Sequence, residues 1–585
     1  MKKSRLKYII ANKKHTRSFL LILSTLAGIG AGITALVLKT AVFELQEYLT
    51  NSVWQKNSFY LLFVYPVAGI IMLAILRKYI FHDQGRHNIT SLLYAISKQN
   101  SRVPGHKIYS SVFGAIITAG FGGSIGLESP IISSGASIGS NLGKRFNLEY
   151  KEVTLLLACG ASGAIAAIFN TPIAGIVFSF EVLLLDLNRF SLIPLLIASV
   201  TGALTTWAFY PNEIPLHFEI LHQFELSQLP WYLLLAIIGG LISTYFTRTF
   251  LYFEQQFDKF RNRITGRLAG GLALGVLITL FPPLWGEGFK TIKLLISGKI
   301  LELSSENIIG TMMNEYGIMI FLLLLIFLKV IATVTTIRGG GIGGIFAPSL
   351  FTGAIMGFLF AYGLNQTGLF HLSTSNFTLV GMASVLGGVL HAPLTGIFLI
   401  AEITQGYELI VPLMLTTTIA YITSKKLSPD SIITYQLSRT GELITHHKDK
   451  AVLHFLDRKR IIETDFDTVR IDQKLGELVD LISKSHRNIF PVVDKTGYLI
   501  GLIRLDKVRR IMFKKDAYTM PVWHLMETPP DVIEENDTME TIVKKFNQAK
   551  AWNLPVIDNG IYQGMVSRSK LFSVYREVLV KITDD

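Results

Sequence analysis

The chain reads as an all-α multi-pass membrane protein with an internal, inverted repeat of broken helices, followed by a soluble α/β tail. Three observations predict this. First, half of its 585 residues are hydrophobic and only 17% are charged, against about 25% charged in soluble domains. Second, apolar stretches recur at 18–43, 58–80, 152–168, 173–187, 191–209, 231–252, 266–282, 317–336, 376–400 and 409–423. Third, two blocks of glycine and proline recur in the same order in the two halves of that region.

The apolar stretches differ in length. Some fall short of the roughly 20 residues that span a bilayer. Short, glycine-interrupted segments suit half-helices that end inside the membrane, where broken backbone is tolerated only if buried or lining a cavity. The start, 1–17, carries Lys2, Lys3, Arg5, Lys7, Lys13, Lys14 and Arg17. The apolar stretch after it is too long for a signal peptide. It reads as a basic cytoplasmic tail before a first membrane helix, in a cell (plasma, or inner) membrane. Lys425 and Lys426 close the membrane region with the same sign, so both ends read as cytoplasmic, with an even number of full crossings. The net charge of +13 then belongs to loops and tails, not to a nucleic-acid surface. The single cysteine, Cys159, excludes an intrachain disulfide framework and a thiolate metal site.

The repeat is specific. Gly126-Leu127-Glu128-Ser129-Pro130 precedes Gly135, Ala136 and Gly139, and Gly344-Ile345-Phe346-Ala347-Pro348 precedes Gly353, Ala354 and Gly357 at identical offsets. Pro172, Gly175 and Glu181 match Pro393, Gly396 and Glu402 in the same way. This places repeat one at about 18–210 and repeat two at about 230–440, within a membrane unit spanning 18–440. Each G-x-x-x-P block reads as a glycine loop feeding a helix N-terminus, with proline at home in the first turn. Such an end carries free N–H groups and about half a positive charge. Two of them converging would hold an anion without lysine or arginine, weakly enough for it to leave. Gly126, Gly344, Pro130 and Pro348 support those ends. Close-packing glycines are the plainer alternative.

Glu128 stands out. A mid-membrane carboxylate costs on the order of 2.5–3.5 kcal/mol and competes with an anion for the same N–H groups. It reads as a gate that blocks when docked and opens when protonated or displaced. A passive helix-capping acid is the alternative. The matching residue in repeat two is Phe346.

These residues resemble the CLC family of chloride channels and chloride/proton antiporters. Gly126–Pro130 is similar to its G-(K/R)-E-G-P motif, with Leu127 and Ser129 replacing the basic residue and second glycine. Gly344–Pro348 matches its G-x-F-x-P motif. The resemblance implies a homodimer with one anion path per subunit, Glu128 as gating glutamate, and the amides of Ile345 and Phe346 as anion ligands. Arg86-His87-Asn88-Ile89-Thr90 is similar to the family's first selectivity motif, which makes His87 the ion-facing residue; a surface or packing histidine is the other reading. Pro429 stands where the family carries its pore tyrosine, and Tyr435 lies six residues beyond. The proton-relay position is Val182, which cannot carry a proton. The reading is therefore a gated chloride channel, with a chloride/proton antiporter as the alternative and a divalent-cation channel as a remote one. The preceding acid, Glu181, reads as structural because Glu402 matches it. No enzyme motif or metal-ligand cluster is present, and no cofactor is required.

The tail contains its own repeat. Phe490-Pro-Val-Val-Asp494 runs through Gly497 to Gly501, and Leu554-Pro-Val-Ile-Asp558 runs through Gly560 to Gly564. Each reads strand–turn–strand and resembles a CBS domain, the first at 445–515 and the second at 516–585. CBS pairs can bind adenine nucleotides. Asp506 and Ser567 are the candidate nucleotide residues, although neither half carries a full ribose-binding set. A purely structural dimerising module is the alternative.

Overall fold

The computed structural model describes residues 13–55, 60–81, 88–183, 189–209, 224–260, 263–299, 315–435 and 458–583. His87, most of the basic tail and the linker around 440–445 lie outside the described residues. The chain forms two compact units, Met1–Leu443 and Ile444–Asp585.

The first unit is helical. In repeat one the helices are α1 (Lys13–Gln55), α2 (Tyr60–Tyr79), α3 (Ile89–Lys98), α4 (Lys107–Gly120), α5 (Glu128–Arg145), α6 (Tyr150–Phe169), α7 (Pro172–Glu181) and α8 (Arg189–Phe209). In repeat two they are α9 (Leu229–Asp258), α10 (Arg263–Leu280), α11 (Phe289–Ile296), α12 (Glu315–Arg338), α13 (Phe346–Asn365), α14 (Thr374–Leu390), α15 (Pro393–Ile403) and α16 (Ile410–Leu427). Among the described residues seven helices are long and apolar enough to cross a membrane, and four shorter apolar ones, including α7 and α15, are not.

The apolar stretch expected at 376–400 is two helices, not one. His391 adopts the left-handed conformation at the end of α14, and Pro393 opens α15. Asn170 does the same between α6 and Pro172 of α7. A left-handed cap followed by proline ends one helix and starts the next in a new direction. Hydropathy carries no trace of such a break. The block Phe346–Asn365, absent from the apolar stretches, is also a full-length helix. Its glycines dilute its hydropathy, yet they let it pack.

That packing is duplicated. A Cβ at Gly135 would lie 2.2 Å from the Gly160 carbonyl oxygen, and one at Gly160 would lie 1.9 Å from that of Gly135. Gly353 and Gly381 repeat the arrangement at 2.3 and 2.4 Å. In each half the two helices cross backbone to backbone, as small residues permit in membranes. The plainer reading of these downstream glycines is the one the structure supports.

In the tail, β1 (Val469–Arg470), β2 (Ile489–Val493) and β3 (Leu499–Arg504) form one sheet, and β4 (Ile533–Glu534), β5 (Asn553–Asp558) and β6 (Ile561–Ser567) another. In each the first pair is parallel and the second antiparallel. Tyr498 and Ile561 form an antiparallel bridge between the two hairpins. The expected boundary at 515/516 is crossed both ways. Val522, Leu525 and Met526 pack into the first core, and Ile461 packs into the second.

Candidate functional site

The two G-x-x-x-P loops meet. Gly126 N–H donates to Gly344 O at 2.9 Å, and Gly344 N–H donates to Gly126 O at 2.9 Å. Around them, Ser124 N–H donates to Thr336 Oγ1 at 3.2 Å, and Ile342 N–H donates to Thr118 Oγ1 at 3.0 Å. Every bond made by one repeat is returned by its counterpart. Two copies of one segment can exchange bonds like this only across an approximate two-fold axis, as an inverted repeat requires. The junction starts α5 on one side and α13 on the other. Neither Leu127 nor Ile345 caps its helix with its own side chain, and Leu127 N–H donates to Glu287 Oε1 at 3.1 Å; the remaining first-turn amides of a helix end are left to be met from outside the helix.

Glu128 occupies this junction. It is fully buried, and both carboxylate oxygens lack a hydrogen-bond partner. Its Oε2 lies over Gly126: a Cβ there would fall 2.0 Å from that oxygen and 2.9 Å from the Ala347 nitrogen. The carboxylate is therefore turned toward the first turn of the opposite repeat's helix, near the Ala347 amide, without closing a full hydrogen bond. An unpartnered buried carboxylate facing a helix N-terminus stands where an anion would sit.

Ile345 and Phe346 begin α13 beside it, buried. The Phe346 ring stacks on Phe169, centroids 5.5 Å apart. Next to the undescribed His87, Asn88 caps α3 by accepting from Ser91 N–H at 3.0 Å, so a helix N-terminus does start at the matched motif. Thr90 donates to Ile433 O at 3.1 Å, which joins this helix start to the segment after Pro429.

Val182 is buried at the end of α7. Glu181 is engaged elsewhere. It accepts from Leu394 N–H at 2.8 Å, Thr395 N–H at 2.7 Å and Thr395 Oγ1 at 2.7 Å. Glu402 returns the contact, accepting from Ile173 N–H at 2.9 Å and Ala174 N–H at 2.8 Å. Each acid caps the proline-started helix of the other repeat, a charge-assisted contact at the positive end of a helix.

The nucleotide candidates in the tail each have partners of their own. Asp506 is exposed and pairs with Arg509 at 3.5 Å. The Ser567 hydroxyl donates to Glu463 Oε1 and accepts from Lys570 N–H at 3.1 Å. Glu463 and Asp465 both bind Arg487. That guanidinium holds the Asp465 carboxyl below the usual range.

Two charged residues of the membrane unit escaped the sequence reading. Lys329 lies fully buried in α12, inside an apolar stretch, and Glu287 lies between two glycines just before α11. The signal that could have found Lys329 was its isolation, because a lone ionisable residue in an apolar helix calls for a partner.

A duplicated helical membrane unit whose halves meet at two open helix ends is the architecture of an anion transporter. The chain belongs to the family described as voltage gated chloride channel, which it matches over residues 68–425; residues 459–514 and 522–577 match CBS domains. It is 28% identical over 449 residues to the H(+)/Cl(-) exchange transporter ClcA of Vibrio cholerae, spanning 73% of this chain and 91% of that protein. It is 24% identical over 580 residues to the chloride channel protein CLC-f of Arabidopsis thaliana, spanning 86% and 71%. A solved structure of a slow cyanobacterial Cl-/H+ antiporter shares the fold, with a TM-score of 0.62 at 22% identity, covering 72% of this chain and 97% of that one. The divalent-cation reading is displaced by this family membership.

Proposed function

We propose that this protein exchanges chloride or a related anion for protons across a cell membrane, with Glu128 as the gate that carries the proton. The observation behind this is the Glu128 carboxylate, buried without a partner at the junction of the two repeats. A protonated Glu128 loses its attraction to the helix end and vacates the site, and an arriving anion takes its place. One group that alternates with the anion and binds a proton when displaced couples the two fluxes. The names of the Vibrio relative and the cyanobacterial structure support exchange over the simple channel expected from Val182. The channel remains the second reading, because valine at the relay position supplies no internal proton carrier. In the exchanger reading water must carry the proton between the gate and the other side.

Liposome flux with simultaneous anion and proton readout tests this. Exchange requires the reversal potential to shift with a pH gradient at a fixed anion gradient. A reversal potential that follows the anion gradient alone makes the protein a channel. A homodimer within the bilayer, which the resemblance implies, is part of this reading, and cross-linking in liposomes would detect it. The tail acts in this reading as a structural module, with adenine nucleotide at Asp506 and Ser567 as the alternative. Calorimetric titration of the full chain with ATP decides between these.

A further inference from the structure

The gate has a neighbour that approaches from far along the chain. Residues 281–288 connect the end of α10 to α11, and the last part of this loop lies against the segment that leads to Glu128. Trp285 packs on Gly122, where a Cβ would lie 3.1 Å from its ring. Gln46 of α1 reaches the same place, donating to Ala119 O at 2.9 Å. Gly286 and Gly288 have φ of +59° and +88°, a conformation that glycine adopts without strain. The two glycines turn the residue between them inward. That residue is Glu287, and its Oε1 accepts from Leu127 N–H at 3.1 Å. Leu127 immediately precedes Glu128.

A cation holds the loop in place. Lys329 Nζ donates to Gly286 O at 2.9 Å and Leu284 O at 3.3 Å. It also stands 4.7 Å from the centroid of the Phe351 ring of α13. Burying a lysine completely is costly unless it is bonded and its charge is met. Here carbonyls and an aromatic face solvate it, and Glu287 answers its charge. Lys39 of α1 is the other cation that acts on Glu287, and Glu128 is the acid that shares its field. The gate segment supplies no cation of its own at this point, since residue 127 is leucine.

We propose that Glu287 is the positioning residue of the gate: held by the loop that Lys329 pins, its carboxylate fixes the Leu127 amide from which Glu128 springs, and its negative charge sets the pH at which Glu128 leaves the anion site. The proposal rests on Glu128 being the gate. It differs from a merely structural role in one respect. A structural anchor would change how much protein folds or how fast it transports. A second negative charge also moves the pH profile, because a neighbouring anion favours protonation of the gate.

The test is anion flux against pH in liposomes for the full chain and five variants. Glu287→Gln keeps an acceptor for the Leu127 amide and removes the charge. It should move the half-activation pH to the acid side by about one unit, with little change in maximal rate. Glu287→Ala should make the same shift and lower the maximal rate several-fold, because the amide loses its partner. Lys39→Gln, a half-buried change on α1, should move the profile the opposite way by a smaller amount. It keeps the proposal testable if the Glu287 variants fail to fold. Glu128→Gln/Glu287→Gln should match Glu128→Gln alone. An unmoved profile in Glu287→Gln, or in Lys39→Gln where only that variant folds, overturns the proposal. So does an additional pH effect of Glu287→Gln when Glu128 is already glutamine. If Glu128→Gln itself keeps the wild-type pH dependence, the gate reading has failed instead.

Discussion

The two loop–helix junctions share a backbone and differ in what they carry. Gly126 and Gly344 exchange equivalent hydrogen bonds, and Thr118 and Thr336 hold equivalent amides. Yet one helix opens with Glu128 and the other with Phe346. The backbone alone can supply amides and dipoles to an anion. Only one half of the junction carries an acid. Under the proposed function Phe346, stacked on Phe169, shapes the path, whereas Glu128 empties and fills it.

The comparison can be broken most strongly where both halves are expected to behave alike. Gly160→Val and Gly381→Val each force a side chain into an opposing backbone carbonyl, and overpacking of this kind costs about 3 kcal/mol or more. Both variants should lose folded protein to a similar degree in detergent size-exclusion chromatography. One tolerated and one lethal substitution would show that the halves are not packed equivalently.

The crossed caps come next. Glu181→Gln and Glu402→Gln should each lower thermal stability by about 1.5–3 kcal/mol, the range for charge-assisted hydrogen bonds. Neither should alter proton coupling. A loss of proton flux in Glu181→Gln alone would turn that cap into a relay.

The asymmetry itself predicts a third effect. Glu128→Gln should flatten the pH dependence of anion flux and raise flux at neutral pH by roughly tenfold, if docking is worth about 1.4 kcal/mol. Phe346→Leu should leave the pH profile unchanged. A pH response intact in Glu128→Gln would remove the functional difference between the halves.

The smallest effect lies in the tail, where the duplicated modules also differ. Arg487 holds Asp465 below the ordinary carboxylate range, and Lys507 with Arg504 does the same for Glu527. A carboxylate whose folded value is depressed adds stability above its unfolded value, near pH 4. That stability is lost as pH falls through the lowered folded value. Hydrogen exchange on the full chain should show the tail loosening below about pH 4, and Arg487→Met should shrink that step. An identical acid response in the variant would detach the pair from tail stability.

How much of the site was legible in advance depended on the range of the contacts involved. Glu128, Gly126, Ile345 and Phe346 lie within two short blocks whose repetition exposed them. The break at His391 was hidden because a left-handed cap leaves no mark in hydropathy. The packing of Ile461 and Val522 across the 515/516 boundary in the tail was hidden as well, because strand patterns say nothing of exchanged segments.

Repetition, apolar stretches and one acid out of place were enough for the sequence to determine a duplicated helical membrane unit and to single out paired helix ends as its candidate anion site. Tertiary structure alone decided which distant groups meet there. Glu181 and Glu402 became each other's caps, and Glu287 reached the Leu127 amide. The physical reason is that a helix end offers amides to any acid brought near it. Only the packing of helices far apart in the chain selects which acid that is.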